Sequence, residues 1–151
     1  YWKAYGLPTV SLRFFTVYGP RQRPDMFFHI FMDRLRKNEE VPLYDDGEQT
    51  RDFTYCGDIV DGLLGAALYP GAGEVFNLGG GTERSVLNAI HTVEKISGRK
   101  AKLKTFERQK GDVRHTRARL DLATEKLRYC PKVNLEEGLS QQWHWIQTLD
   151  S

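Results

Sequence analysis

Residues 12–26 read LRFFTVYGPRQRPDM, and they place the end of a strand directly before a polar turn. Apolar side chains alternate along residues 9–15, which is the period of a strand with one buried face. Gly19 and Pro20 end that strand. Thr16 and two arginines lie just beyond it, and α/β proteins bind ligands at the carboxyl ends of their strands. We therefore expect an α/β protein in which this turn is one candidate for a polar site, although a solvated loop would explain the turn taken alone.

The rest of the chain alternates between helical and strand periods. Ser85 is a good N-cap for one helix, and Gly98 is a good residue to end it. Helices are predicted at residues 25–37, 58–71, 85–98, 121–128 and 135–149, and strands at 41–44, 51–56, 74–78 and 101–106. This order predicts an α/β or mixed α+β fold with four or five helices and as many short strands.

The composition is that of a globular chain. Its 151 residues are 40% hydrophobic, 12% aromatic and 28% charged, whereas a disordered chain has fewer aromatics and more uncompensated charge. No apolar stretch has the length of a membrane span, and no signal-peptide pattern is visible. A net charge of +2 argues against a purely electrostatic nucleic-acid binder. Cys56 and Cys130 form no metal spacing, so a reducing cytoplasm is the simplest compartment, with one disulfide left open.

The charge is unevenly distributed along the chain. Residues 95–128 hold 12 Lys and Arg against 4 Asp and Glu, and the remainder holds 10 basic and 16 acidic residues. A basic segment in a near-neutral domain indicates an anionic ligand on one face. The alternative is a solvated surface that acidic neighbours balance in space. Charge alone does not separate the two.

The first residues have the pattern of a helix end. Residues 1–5 precede Gly6, which suits a left-handed C-cap, and Pro8 prevents the helix from continuing. Five residues without an N-cap do not make a stable helix alone. Because residue 1 is not Met, we expect a fragment whose upstream portion is missing, with a processed or trimmed N-terminus as the alternative.

Three polar clusters carry the candidate chemistry, at residues 16–26, 47–53 and 109–116. In the second, Arg51 stands next to Asp52, which allows either an internal ion pair or bidentate binding of a phosphate. Residues 79–81 are three glycines that follow a predicted strand. They lack the third glycine of a G-x-G-x-x-G turn and its following acidic residue, so a tight strand-to-helix turn is favoured over a phosphate cradle.

The clusters occur together with further recognisable stretches. They are LRFFTVYGPRQRPDM (12–26), LYDDGEQTRDFTYCGDIVDGLLGA (43–66), FNLGGGTERSV (76–86), QKGDVRHTRARLDLATEKL (109–127) and LEEGLSQQWHWI (135–146). In this order the sequence resembles the C-terminal, substrate-binding part of NAD-dependent nucleotide-sugar epimerases and dehydratases, in the extended short-chain dehydrogenase/reductase family. Within that family, residues 16–19 and 23–26 are similar to the UDP-glucuronate 4-epimerase subgroup, although many members carry Asn at the position of Thr16.

The resemblance implies how the chain is organised. Residues 1–15 would be the end of a Rossmann domain that is otherwise missing, and residues 16–151 would form the sugar-nucleotide-binding domain of a mixed α/β fragment. Family members bind NAD at a G-x-x-G-x-x-G turn and use a Tyr-x-x-x-Lys pair. Neither pattern occurs here, since position +4 after each of the seven tyrosines is never Lys. The resemblance therefore implies no catalytic residue in this chain and a fragment that is inactive alone.

The resemblance also implies roles for residues on the nucleotide side of the substrate. Arg51 would contact the UDP diphosphate or ribose, with Gln49 nearby. Val41 and Tyr44 would line the uracil and ribose pocket. In addition, the third cluster would supply two contacts: Asp112 and Gln109 would touch the ribose hydroxyls or orient Arg51, although some members carry Arg at the position of Gln109.

On the sugar side, the resemblance implies contacts from the first cluster. Thr16 and Arg23 would face the sugar, with Arg23 near a uronic-acid carboxylate. The backbone of Phe15, Thr16 and Val17 would approach the nicotinamide of NAD.

The activity implied is 4-epimerisation of a UDP-sugar. NAD takes the C4 hydride while a tyrosine removes the C4 hydroxyl proton, and hydride returns to the other face of the 4-keto sugar. A 4,6-dehydratase or decarboxylase of the same family is the first alternative, and a non-catalytic binding module is the second. We expect a cytoplasmic homodimer as the full-length protein, with no nucleic-acid or membrane partner.

Overall fold

A computed structural model gives the fold, and it describes residues 1–108, 111 and 113–150. The helices are α1 (Trp2–Tyr5), α2 (Phe27–Arg36), α3 (Cys56–Ala67), α4 (Val86–Ser97), α5 (Asp121–Leu127) and α6 (Leu135–Ile146), and a short 3₁₀ helix follows (Gln147–Asp150). The strands are β1 (Ser11–Phe14), β2 (Val17–Tyr18), β3 (Glu40–Tyr44), β4 (Thr50–Asp52), β5 (Thr54–Tyr55), β6 (Val75–Leu78), β7 (Glu83–Ser85) and β8 (Lys102–Phe106). The mixed α/β fold predicted from the sequence is confirmed.

The strands of the described ranges pair in twos. Three pairs are parallel: β1 with β6, β2 with β5, and β3 with β8. The fourth pair, β4 with β7, is antiparallel. In the β1–β6 pair, the strand at residues 75–78 lies beside the strand at residues 11–14, so the chain returns at residue 75 to its first strand.

The buried side chains form two clusters. The larger lies between α2, α4 and α6, where Phe31, Ile90 and Leu139 have no exposed surface. The smaller packs α3 and α5 on the β1–β6 pair, around Phe76 and Leu78. In the described part of the chain, no helix is long and apolar enough to cross a membrane.

The helix ends follow the capping rules. Ser85 accepts a hydrogen bond from Asn88 N at 3.1 Å, and Gly98 ends α4 with a φ of 66°. Asn134 caps α6 by accepting from Glu137 N at 2.9 Å. Gly6 ends α1 in the left-handed region, with a φ of 66°. The predicted caps at both ends of α4 and the predicted end of α1 are confirmed.

Several predicted boundaries were wrong. Residues 51–56 do not form one strand, because β4 and β5 pair with different partners and α3 already begins at Cys56. The glycines at 79–81 lead into β7 before α4 begins, so the turn is not a direct strand-to-helix connection. The helix predicted at 135–149 ends at Ile146 and continues as the 3₁₀ helix.

Candidate functional site

A cavity of about 440 Å³ lies between α2, β3 and β4. Its wall is largely apolar, and the buried Phe31 and Phe53 belong to it. Five of the residues proposed from the sequence line this cavity: Thr16, Val41, Tyr44, Gln49 and Arg51. An apolar cavity with a few convergent polar groups is the usual form of a small-molecule site.

Arg51 supplies the positive charge of the cavity. Its Nη1 donates to Thr50 O at 2.8 Å and to Arg114 O at 3.4 Å, which fixes the guanidinium against two backbone carbonyls. Arg84 lies opposite on β7. Arg114 in turn pairs with Asp46 at 3.2 Å. The Arg51 guanidinium at the cavity wall favours an anion in the cavity.

One acceptor of Gln49 has no donor within the described part of the chain. Its Nε2 donates to Tyr44 O at 3.1 Å, which fixes the orientation of the amide. Its Oε1 is buried, and none of the described residues donates to it. A buried acceptor without a partner costs about 1–3 kcal/mol. A ligand whose N–H or O–H reached this oxygen would remove the cost.

Tyr44 and Phe106 form an aromatic pair at the ends of β3 and β8. They are register partners, and their ring centroids lie 5.8 Å apart at an angle of 37°. Tyr44 is 40% exposed and Phe106 is 43% exposed. Partly exposed aromatic faces of this kind stack planar rings, including nucleobases.

The segment after β1 is fixed by backbone hydrogen bonds. Phe15 N donates to Leu78 O at 3.0 Å, and Thr54 N donates to Thr16 O at 2.9 Å. Val17 O accepts from Gln22 Nε2 at 2.8 Å. Thr16 lines the cavity, whereas Phe15 and Val17 flank it without doing so.

Arg23 does not line the cavity. Its Nε and Nη2 donate to the two carboxylate oxygens of Asp25 at 3.1 and 2.9 Å, and Asp25 does line the cavity. This ion pair is well exposed, so it contributes little to stability. The structure thus places Arg23 beside the cavity through Asp25, a residue for which the sequence predicted no role at the site.

The sequence did not predict that Asp52 is a buried acceptor that holds the backbone next to the site. It has no exposed surface, and it accepts from Gly80 N at 2.6 Å and from Ala118 N at 3.0 Å. Burial raises the pKa of Asp52 above its ordinary value, although these backbone donors act in the opposite direction. A Cβ on Gly79 would collide with the Cβ of Ala118 and lie 2.9 Å from Asp52 Oδ2, which explains the glycine there. The sequence signal was an acid between Arg51 and the apolar Phe53.

Gln109 and Asp112 lie outside the described residues, so their proposed contacts stay predictions. The segment after them runs beside β4: His115 forms a parallel bridge with Thr50, and the Thr50 hydroxyl lies 2.9 Å from His115 Nδ1. Four basic residues of the 95–128 segment pair with acids outside it: Lys95 with Glu136, Lys100 with Glu94, Lys104 with Glu40, and Arg114 with Asp46. For these residues the balanced surface is confirmed.

The family comparison decides the assignment. The model of the NAD dependent epimerase/dehydratase family matches residues 1–79, which is more than half of the chain. The chain belongs to this family. The resemblance drawn from the sequence is thereby confirmed, and members of the family use NAD.

Similar proteins include named epimerases. The chain is 40% identical over 150 residues to an uncharacterized UDP-glucose epimerase, YtcB, of Bacillus subtilis, with 99% of this chain and 48% of the relative covered. It is 38% identical over 146 residues to a UDP-glucuronate 4-epimerase of Thermodesulfobacterium geofontis, with 96% and 45% covered. The chain spans about half the length of these relatives.

A solved structure matches closely. It is the UDP-glucuronic acid 4-epimerase of Bacillus cereus in complex with UDP-glucuronic acid and NAD. The TM-score is 0.95 at 39% identity, and the match covers 98% of this chain and 48% of the other. The fold of this epimerase/dehydratase chain is therefore that of the corresponding half of a known epimerase.

Phe15, Thr16 and Val17 are placed so that they could contact NAD at its edge but could not enclose it. The segment at Phe15, Thr16 and Val17 stands at the carboxyl end of a parallel strand, where this class of fold places its ligands. However, its Phe15 N–H and its Thr16 and Val17 carbonyls are bonded within the chain. The sequence also lacks a glycine-rich phosphate turn. These residues could therefore border the cofactor but could not hold it alone.

Proposed function

We propose that this chain forms the nucleotide-sugar-binding surface of an NAD-dependent UDP-sugar 4-epimerase. The observation that carries the proposal is a cavity that presents Arg51 and Tyr44 together with Gln49, whose Oε1 has no donor among the described residues. Together these residues offer an acceptor, a fixed cation and an aromatic face. A nucleoside diphosphate has a donor, an anion and a planar base, so it matches all three.

Each group of the nucleotide has a candidate partner. Arg51 would hold the diphosphate, since a guanidinium binds phosphate oxygens in pairs. Tyr44 would stack on the uracil while Val41 packs below it. Gln49 Oε1 would accept from the base or from a ribose hydroxyl. The apolar wall formed by α2 would exclude water from these contacts.

The sugar would lie near the turn after β1. Thr16 and Asp25 line this part of the cavity wall, and Asp25 holds Arg23. A carboxylate on the sugar would compete with Asp25 for the Arg23 guanidinium. UDP-glucuronate is therefore the substrate that would use Arg23, whereas a neutral hexose would leave the pair intact.

The hydride and proton transfers would come from outside this chain. NAD, when bound, accepts the C4 hydride and returns it, and the residues here would orient the sugar and exclude water. We propose that residues 1–15 end a Rossmann portion and that residues 16–151 bind the sugar nucleotide. The β1–β6 pairing supports a close connection between the two parts. A homodimer and a cytoplasmic location stay predictions.

The test uses the full-length polypeptide and this chain side by side. The full-length enzyme is mixed with NAD and either UDP-glucuronate or UDP-glucose, and the products are identified by NMR. A C4 epimer supports the proposal. A 4-keto-6-deoxy sugar as the product would instead indicate a dehydratase, and a pentose would indicate a decarboxylase. If the protein bound the nucleotide sugar but formed no product, it would be a binding module. Turnover by this chain alone would contradict the proposal that the catalytic groups lie outside it.

A further inference from the structure

A buried amide network joins the C-terminal helix to the turn beside the cavity. Gln142 on α6 has no exposed surface. Its Oε1 accepts from Gly19 N at 2.9 Å, and its Nε2 donates to Gln22 Oε1 at 2.9 Å. One side chain therefore binds two points of a turn that lies some 120 residues earlier in the chain.

Gln22 extends this network to α2 and to the end of β1. Its Nε2 donates to Val17 O at 2.8 Å, and its Oε1 accepts from His29 N at 3.0 Å. The His29 Nδ1 lies 2.8 Å from Gln22 O. The turn is thus bonded to the strand before it, the helix after it and the C-terminal helix.

The chemistry of the network leaves only an amide at position 142. Gly19 N and His29 N are backbone donors, so Gln142 and Gln22 must each present an oxygen to them. The remaining contact between the two side chains then requires a donor from Gln142 and an acceptor from Gln22. A carboxylate of the same size would accept from Gly19 but could not donate to Gln22.

The turn held in this way separates two residues of the cavity wall. Thr16 precedes it and Asp25 follows it, and both line the cavity. Within the turn, Gly19 has a φ of 138° and Arg21 a φ of 65°, which are conformations that side chains disfavour. Such a turn keeps one shape only when surrounding contacts determine it. The network provides those contacts.

We propose that Gln142 is a positioning residue, which sets the placement of Thr16 and Asp25 against the sugar by holding Gly19 and Gln22. The inference rests on the proposed function, because it requires a nucleotide sugar in the cavity. Gln142 lines no part of the cavity itself. It acts on the sugar end, whereas the nucleotide end is formed by β3 and β4.

The experiment compares Gln142→Met with Gln141→Met in the full-length enzyme loaded with NAD. Methionine keeps the length of the side chain and removes both polar contacts. Gln141 is the exposed neighbour on the same helix and contacts Tyr55 instead, which makes it the matched control. Gln22→Met breaks the same network from a half-buried position, so the inference stays testable if Gln142→Met does not fold. The readouts are kcat/KM for the UDP-sugar, inhibition by UDP, and amide hydrogen exchange of Gly19.

For Gln142→Met we expect kcat/KM for the UDP-sugar to fall about tenfold or more, because small displacements of positioning groups are costly. Inhibition by UDP should stay within about twofold, and the Gly19 amide should exchange at least about tenfold faster. An unchanged kcat/KM in both network variants would overturn the inference. So would a parallel loss of UDP inhibition, which would indicate general damage. A wild-type enzyme that neither binds nor converts a UDP-sugar would instead refute the proposed function.

Discussion

Arg51 lies directly opposite Arg84 in the antiparallel pair of β4 and β7. Opposed residues of a ladder project to the same face, so the two arginine side chains leave the sheet on one face. Like charges in this position destabilise a sheet. The two opposed arginines lower the stability of the chain without a ligand, but they favour the binding of an anion. Binding sites commonly reduce stability in this way for the sake of function.

Arg84→Gln should therefore stabilise the chain while weakening anion binding. Removing the like-charge opposition should raise the free energy of unfolding by about 0.2–1 kcal/mol. The dissociation constant for UDP should rise several-fold at the same time. Urea unfolding and calorimetry with UDP measure the two effects. A variant that is less stable and binds UDP as before would show that the charge opposition does not matter.

Arg51→Ala should have the larger effect on the nucleotide. A hydrogen bond to a charged group contributes about 1.5–3 kcal/mol, so UDP affinity should fall about tenfold or more. Arg51→Lys should recover only part of the loss, because an ammonium cannot bind two phosphate oxygens in a fixed plane. Arg13→Ala, on the exposed face of β1, is the control. Unchanged UDP binding in calorimetry of the full-length enzyme would contradict the role of Arg51.

The longer elements were predictable from local pattern. The helical periods of α2, α4 and α6 and the cap at Ser85 are local features, and each occurs within a few residues of the predicted place. The pairs β2–β5 and β4–β7 were not predicted as such. Their strands have two or three residues, and they exist through partners more than 30 positions away.

The site was predictable to a similar degree. Side chains that recur with the family motif, such as Tyr44 and Arg51, were named from the sequence and line one cavity. Asp52 was named only as a possible ion-pair partner of Arg51, and Gln142 was not named. Their importance comes from burial and from backbone groups that folding brings to them, and a lone acid or amide in a sequence gives no sign of either.

Asp52→Ala should destabilise the chain strongly. It would leave the Gly80 and Ala118 N–H groups buried without an acceptor, at about 1–3 kcal/mol each. Asp52→Asn should cost less, because its amide keeps one acceptor. Asp121→Ala, at an exposed acid in the first turn of α5, serves as the control. Urea unfolding of the three variants gives the comparison, and equal stability of Asp52→Ala and the control would contradict the structural role of Asp52.

The last prediction concerns pH and the end of α4. Glu94 accepts from Ala101 N and from Lys100 Nζ, both at 2.9 Å, and so binds the segment before β8 to the helix. Its side chain is 9% exposed. Burial acts to raise the pKa of Glu94, but the Ala101 N–H and the Lys100 ammonium lower it below its ordinary value of 4.5.

A carboxyl whose pKa is lower in the folded state contributes stability above its unfolded pKa, and this contribution is lost as pH falls through the folded pKa. Glu94→Gln should therefore cost about 1–2 kcal/mol at pH 7. The difference in unfolding free energy between this variant and the wild-type chain should shrink as pH falls below about 4.5. It should vanish once the Glu94 carboxyl is protonated in both the folded and the unfolded chain. Unfolding in urea along a pH series measures it, with Glu125→Gln, at an exposed acid of α5, as the control. A difference that stays constant down to pH 3 would mean that Glu94 acts through packing and not through its charge.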